Sequence, residues 1–287
     1  MEAHIALRFS APGLGRELLE GFFLLRHPTT ASQEHEDGSL TFFIPKSEWE
    51  DDEAGPALDR FLKEHTEIRS MGAEEIAARD WNAEWEAAIL PQWATKELLI
   101  APSWRQEEAR SMHAAHMLVI DPKMSFGTGH HETTRLCLHA IERLDIRDKT
   151  VLDLGTGTGV LALYALVRGV RSAVGVDTDE WSIANAPESR ERNGISETVF
   201  DIRRGTLEEV VTKNERFDLV LANIHRNVLL ELAGPLREHA SKDAMLILSG
   251  ILIYDAPEVR TAFEKNGWSF CEESIENEWA CLIFKAV

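Results

Sequence analysis

Residues 150–160 read Thr-Val-Leu-Asp-Leu-Gly-Thr-Gly-Thr-Gly-Val, an apolar strand that enters three closely spaced glycines and continues into the helical pattern Val160 to Arg168. Strand, tight turn and helix in that order form the opening of a βαβ unit. The same texture continues downstream. Ala173 to Asp177, Val199 to Arg203, Phe217 to Ala222 and Ala244 to Ser249 read as strands. Trp181 to Asn193, Val228 to His239 and Ala256 to Asn266 read as helices, with Pro187 either kinking the first of these or marking its start. Alternating strands and helices from about Glu97 imply a parallel sheet covered on both faces, an α/β fold. Trp268 to Cys271 and Glu278 to Lys285 close the pattern as a hairpin.

Upstream the texture differs. His4 to Phe9 alternates as a strand does, Gly15 to Phe23 has helical periodicity, Ser39 to Ile44 is strand-like, and Asp59 to His65 is helical. These residues describe a small α+β unit over 1–65. The helix-prone run Ala73 to Ile89 carries Trp81 and Trp85 on one helix face, and residues 66–93 read as a helical linker to a second domain at 94–287. The two indoles suit packing anchors for that linker, or else a surface that faces substrate.

Composition narrows the function. A chain of 287 residues with 44% hydrophobic and 28% charged residues has ordinary globular usage. Its longest nearly unbroken apolar stretch, Ala244 to Tyr254, falls far short of the ~20 residues that span a bilayer. The N-terminus lacks the basic and apolar regions of a secretory signal, so a cytoplasmic address is expected. Cys137, Cys271 and Cys281 form no Cys-x-x-Cys pair, which suits reduced structural thiols. A net charge of −19 repels phosphate backbones and attracts basic partners, so direct nucleic-acid binding is not expected.

The glycine turn carries the chemistry. A dinucleotide fingerprint needs glycines at 155, 157 and 160, but residue 160 is Val and the third glycine stands at 159. A phosphate-binding P-loop needs a closing Gly-Lys-Ser/Thr, which this turn lacks. Gly-x-Gly-x-Gly with an acid, Asp153, two residues before it resembles the signature of S-adenosylmethionine-dependent methyltransferases; a dinucleotide site and a structural turn stay open as alternatives. Asp177 ends the second strand, at a spacing where an acid accepts both ribose hydroxyls; a helix N-cap is the bland alternative. Asn223 stands at the carboxyl end of the fourth strand, where open α/β sheets bind ligands.

Before the turn lies Ser125-Phe126-Gly127-Thr128-Gly129-His130-His131-Glu132-Thr133-Thr134. That run, followed by the glycine turn, Asp177 and Asn223, closely resembles the PrmA family, bacterial methyltransferases of large-subunit ribosomal protein eleven. Asp80-Trp81-x-x-x-Trp85 and Ile100-Ala101-Pro102-Ser103-Trp104 extend the likeness over roughly residues 80–287. The resemblance implies a Rossmann-like class I methyltransferase domain preceded by a small ferredoxin-like, substrate-recognising domain and a helical linker. It implies S-adenosylmethionine as cofactor and a basic ribosomal protein as acceptor. Cofactor contacts carry over to Thr134, Gly155, Asp177 and Asn223, with Gly157 in the same turn; Asn223, whose side-chain oxygen and adjoining backbone carbonyls can accept from an amine, is the candidate for orienting the acceptor. Two departures stand out. Ile224-His225-Arg226 replaces the apolar or small residues usual after Asn223, making His225 a candidate proton acceptor or a surface histidine. Arg204-Gly205-Thr206-Leu207 lacks the acid that often meets adenine. The His130-His131 pair, with His113 and His116, has no supporting carboxylate spacing and is read as a loop over the cofactor rather than a metal site. The competing functions are a methyltransferase of the same lineage with another acceptor, a dinucleotide oxidoreductase, and a non-catalytic cofactor-binding module.

Overall fold

A computed structural model describes residues 3–27, 30–35, 37–50, 54–76, 86, 88–122, 129 and 131–287. The chain divides into two compact units, Met1–Ala88 and Ile89–Val287. Trp81 and Trp85 lie outside the described residues, as do 125–128 and His130 of the motif before the glycine turn.

The first unit runs β1 (His4–Ser10), α1 (Leu14–Arg26), β2 (Ala31–Glu34), β3 (Leu40–Pro45), α2 (Lys46–Trp49), α3 (Ala54–Glu64) and β4 (Arg69–Ile76). Its antiparallel sheet has the order β2-β3-β1-β4, a ferredoxin-like arrangement. Period-two alternation on β1 sends Leu7 and Phe9 into a core with Leu19 and Phe23 of α1 and with Phe42 and Ile44 of β3. Phe23 stacks on Phe42 with ring centroids 4.4 Å apart.

β4 corrects the expected linker. Residues 69–76 pair antiparallel with β1, Leu7 opposite Ala73, so a helical linker cannot begin at 66. Ala73, Glu74 and Glu75 favour helix locally, but propensity yields to pairing with an apolar central strand. Gly72, at φ 143°, lies opposite Arg8, beside the register shift between Arg8 and Phe9. A residue without a side chain meets that backbone demand most readily.

In the second unit a seven-stranded sheet has the order β10-β9-β8-β11-β12-β14-β13. β8 (Thr150–Leu154), β9 (Ser172–Asp177), β10 (Phe200–Arg204), β11 (Phe217–Asn223) and β12 (Ala240–Leu252) run parallel. β13 (Trp268–Glu276) and β14 (Trp279–Ala286) form the expected hairpin, and β14 inserts antiparallel between β12 and β13. A smaller sheet, β5 (Gln92–Trp93), β6 (Leu98–Ala101) and β7 (His116–Val119), flanks α4 (Gln106–Ser111).

Alternation along the central strands builds two cores. Val151, Leu219, Leu221 and Ile247 face α5 (Glu132–Arg143) and α6 (Val160–Val167). Leu152, Val220, Leu246 and Leu248 face α9 (Arg226–Glu238) and α10 (Ala256–Lys265). The helix α7 (Glu180–Arg192) is continuous through Pro187. Its start is set by Asp179, whose Oδ2 accepts from the Ser182 N–H at 2.8 Å, so Pro187 does not mark that start. From β8 the chain moves outward to β9 and β10, then returns to β11 on the other side of β8, and the crevice at this reversal is where open α/β sheets take ligands.

Gly175 on β9 gives a test of this packing. A Cβ there would lie 2.9 Å from both Phe200 Cε2 and Thr156 Oγ1. Gly175→Val is expected to lower stability by about 1–3 kcal/mol through overpacking, read from denaturant midpoints. An unchanged midpoint contradicts the packing of Phe200 beneath the glycine turn.

Candidate active site

A cleft of about 420 Å³ opens along the carboxyl ends of the central strands, lined by Leu154, Gly155, Asp177, Gly205 and Ile224 among others. That volume lies within the range of small-molecule sites. The glycine turn forms one wall. Gly155, Gly157 and Gly159 have φ of 70°, 57° and 82°, left-handed values that cost other residues steric strain. The Gly155 and Thr156 N–H groups donate to the Val176 carbonyl at 2.8 and 3.1 Å, fixing the turn onto β9. A Cβ on Gly155 would come within 2.2 Å of Ile224 Cγ2, so the turn and the segment after Asn223 are in close contact.

Asp177 is held against this turn. Its Oδ2 accepts from the Gly157 N–H at 2.9 Å and its Oδ1 from the Asp179 N–H at 3.0 Å. Each oxygen keeps acceptor capacity, because an ionised carboxylate offers about four lone-pair sites. Gly155, Gly157 and Asp177 therefore come together as the sequence places them. The N-cap of α7 is Asp179 rather than Asp177, which disposes of the bland alternative for Asp177.

Thr134 and Asn223 meet each other beside the cleft rather than among its lining residues. Thr134 lies on the first turn of α5, buried, and Asn223 ends β11. The Asn223 Nδ2 donates to Thr134 Oγ1 at 3.4 Å, while Asn223 Oδ1 is buried without a hydrogen-bond partner among the described residues. An unsatisfied buried acceptor costs about 1–3 kcal/mol, a penalty that a ligand N–H removes.

His225 is exposed and caps α9, its Nδ1 accepting from the Asn227 N–H at 3.3 Å. Arg226 pairs with Asp255 at 3.2 Å and with Glu258, tying the start of α9 to the start of α10. After β10 the chain turns directly into a short helix, α8 (Leu207–Val210). The Thr206 N–H and hydroxyl both donate to Glu209 Oε2, at 2.8 and 3.0 Å, as a helix capping box. The cleft instead reaches Glu208 and Glu231.

Several residues around the site escape sequence reasoning. Arg135 on α5 donates to Glu276 at 2.5 Å, and Asn277 Nδ2 donates to Glu132 Oε1 at 3.0 Å. His131 caps α5 and packs edge-on against Trp279, ring centroids 4.9 Å apart. The tip of the final hairpin thus holds the helix turn that carries Thr134. More than 140 positions separate these partners, so no local pattern announces them. His116 faces the Tyr164 ring at 5.9 Å, and among the described residues no three His, Cys, Asp or Glu side chains are grouped to hold a metal. No helix among them is long and apolar enough to cross a membrane.

Known proteins give this geometry a family. The family described as "Ribosomal protein L11 methyltransferase (PrmA)" matches residues 30–287. Ribosomal protein L11 methyltransferase of Chlorobaculum parvum is 34% identical over 252 residues, 87% of this chain and 86% of that protein. The protein of the same name from Deinococcus radiodurans is 36% identical over 243 residues, 80% of this chain and 88% of that one. Among solved structures, the ribosomal protein L11 methylase of Lactobacillus delbrueckii subsp. bulgaricus superposes with a TM-score of 0.62 at 29% identity, covering 68% of this chain and 98% of that one. The chain belongs to the PrmA family and is an S-adenosylmethionine-dependent methyltransferase.

Proposed function

We propose that the protein transfers the methyl group of S-adenosylmethionine to amino groups, lysine side chains or the N-terminal amine, of ribosomal protein L11. Gly155, Gly157, Asp177, Thr134 and Asn223 hold the cofactor in this reading, and Asn223 orients the acceptor amine. The observation that carries the site is the buried, unpartnered Asn223 Oδ1, next to a cleft of cofactor size walled by the glycine turn.

When bound, the cofactor supplies an electrophilic methyl on a cationic sulfur. The chain has to supply a neutral amine in line with it. A free lysine of pKa about 10.4 is neutral in roughly one part in a thousand near pH 7.4, a penalty of about 4 kcal/mol. A dry pocket beside a cation lowers that pKa without a strong protein base. Asn223 Oδ1 can accept one amine N–H and leave the lone pair free. Positioning of this kind supplies up to ~7–11 kcal/mol, more than the deprotonation costs. Family membership displaces the dinucleotide reading, which Val160 already disfavoured.

Mass spectrometry of purified L11 incubated with this protein and S-adenosylmethionine tests the proposal. L11 is expected to gain methyl groups. Methylation of another basic ribosomal protein with none on L11 favours an enzyme of the same lineage with a different acceptor.

The first unit takes the role of acceptor recognition in this proposal, because the cofactor residues all lie after residue 89. The place to divide the chain is Ile89, since β4 belongs to the first sheet. A chain beginning at Ile89 is expected to keep its affinity for S-adenosylmethionine and lose methylation of L11 by about tenfold, the lower end of what steered encounter contributes. Salt should slow the intact enzyme through acceptor association, as the screening length falls from ~10 Å at 0.1 M to ~3 Å at 1 M. Methylation at the full-length rate by the shortened chain contradicts a recognition role.

A further inference from the structure

Helix α5 meets the final hairpin through two ion pairs that differ in kind. At the last turn of the helix Arg143 pairs with Glu272 of β13 at 2.9 Å, and a cation at that end suits the helix dipole. The other pair stands at the first turn, where Arg135 follows Thr134. A cation there opposes the dipole, so the helix by itself gives little reason for an arginine; Glu132, its partner within α5, lies at 3.7 Å. The guanidinium is held more closely by the hairpin tip. Nε and Nη2 of Arg135 both donate to Glu276 Oε1, at 2.9 and 2.5 Å. This pair is also the more sheltered, with side chains 20% and 33% exposed against 46% and 50% for Arg143 and Glu272, and partly buried pairs are screened less.

The Arg135–Glu276 pair closes a ring around Asn223. Thr134 Oγ1 accepts from Asn223 Nδ2 at 3.4 Å. Asn223 pairs in register with Ser249 of β12, whose Oγ donates to the Ala280 carbonyl of β14 at 2.9 Å. Trp279, bonded to Ala280, lies opposite Glu276 across the hairpin, and Glu276 returns the ring to Arg135. Every link is a covalent bond, a strand pairing or a hydrogen bond. The Asn277 contact to Glu132 and the His131 ring against Trp279 reinforce the same side.

We propose that Arg135 and Glu276 are positioning residues for the cofactor site, their pair holding Thr134 against Asn223 in the arrangement that binds S-adenosylmethionine. The inference rests on the placement of Thr134 and Asn223 in that site given above. A helix turn free to shift presents the binding arrangement for only a fraction of the time, and affinity falls by that fraction. Loss of the pair thus weakens cofactor binding although neither residue touches the cofactor.

Calorimetric titration of the full-length protein with S-adenosylmethionine, with a denaturant midpoint for each variant, tests this. Glu276→Ala is expected to bind about tenfold more weakly, within the range that coupling between two sites carries. Glu272→Ala removes the other ion pair between the same helix and hairpin and is expected to bind within about twofold of wild type, as exposed pairs contribute little. A merely structural role moves the midpoint and spares the affinity of the folded protein. Wild-type affinity in Glu276→Ala, or a loss in Glu272→Ala as large as in Glu276→Ala, overturns the proposal. Should Glu276→Ala fail to fold, Glu276→Gln decides. It keeps an acceptor oxygen without the charge and is expected to bind about fivefold more weakly, the difference between charge-assisted and neutral hydrogen bonds; unchanged affinity overturns the proposal. Thr134→Ala separates the two levels of the argument. Weak binding by Thr134→Ala with wild-type binding by Glu276→Ala defeats this inference alone, whereas wild-type binding by Thr134→Ala defeats the placement of Thr134 and this inference with it.

Discussion

Asn223→Ala is expected to lower turnover by about two orders of magnitude when S-adenosylmethionine is saturating. The size follows from geometry: misplacing a reacting group by about 1 Å costs on the order of a hundredfold. Asn223 is fixed at the end of a central strand, where its backbone pairs with Ser249 in register, and its Nδ2 reaches Thr134. Those restraints leave Oδ1 as an acceptor with a defined direction and no protein partner among the described residues. Single-turnover rates with cofactor in excess check the prediction, and a rate equal to wild type confines Asn223 to cofactor binding. His225→Ala should cost less, because its ring nitrogen is already engaged in capping α9. A larger loss at His225 than at Asn223 reverses the ranking of the two.

Asp177→Ala is expected to weaken S-adenosylmethionine binding by about 10- to 150-fold, the range for losing charge-assisted hydrogen bonds of roughly 1.5–3 kcal/mol. The carboxylate has two tasks. It holds the Gly157 and Asp179 N–H groups and, in the proposed cofactor site, offers its remaining lone pairs to ribose hydroxyls. Asp177→Asn separates them, since an amide oxygen can retain one backbone contact while the charge is gone. Calorimetry on a folded Asp177→Ala variant with undiminished affinity removes the ribose assignment.

The second unit was legible because its information is local. Gly155, Gly157 and Gly159 take left-handed φ values that glycine meets most readily, and Asp177 and Asn223 stand at strand ends that apolar runs mark clearly. The first unit was half legible. Leu7 and Phe9 alternate in plain view, but β2 (Ala-Ser-Gln-Glu) is exposed at every residue and carries no apolar pattern at all. β4 carries a helical composition and becomes a strand only because β1 lies beside it. The support of the site was illegible for another reason. Arg135 with Glu276, and Asn277 with Glu132, are ordinary surface residues whose meeting depends on where β14 enters the sheet.

That entry governs how the molecule can be made. β14 lies between β12 and β13, and Cys281 to Phe284 are buried within it. A ribosome delivers β4, which completes the first unit, roughly 200 residues before it delivers β14. At about 5–20 residues per second the gap lasts roughly 10–40 s. β12 is complete only about 30 residues before β14 follows, so for the last few seconds of that interval, roughly 2–6 s, the nascent chain holds a parallel sheet whose apolar edge at β12 still lacks its neighbour. The apolar edge of β12 is then open to chaperones and to the wrong strand alike.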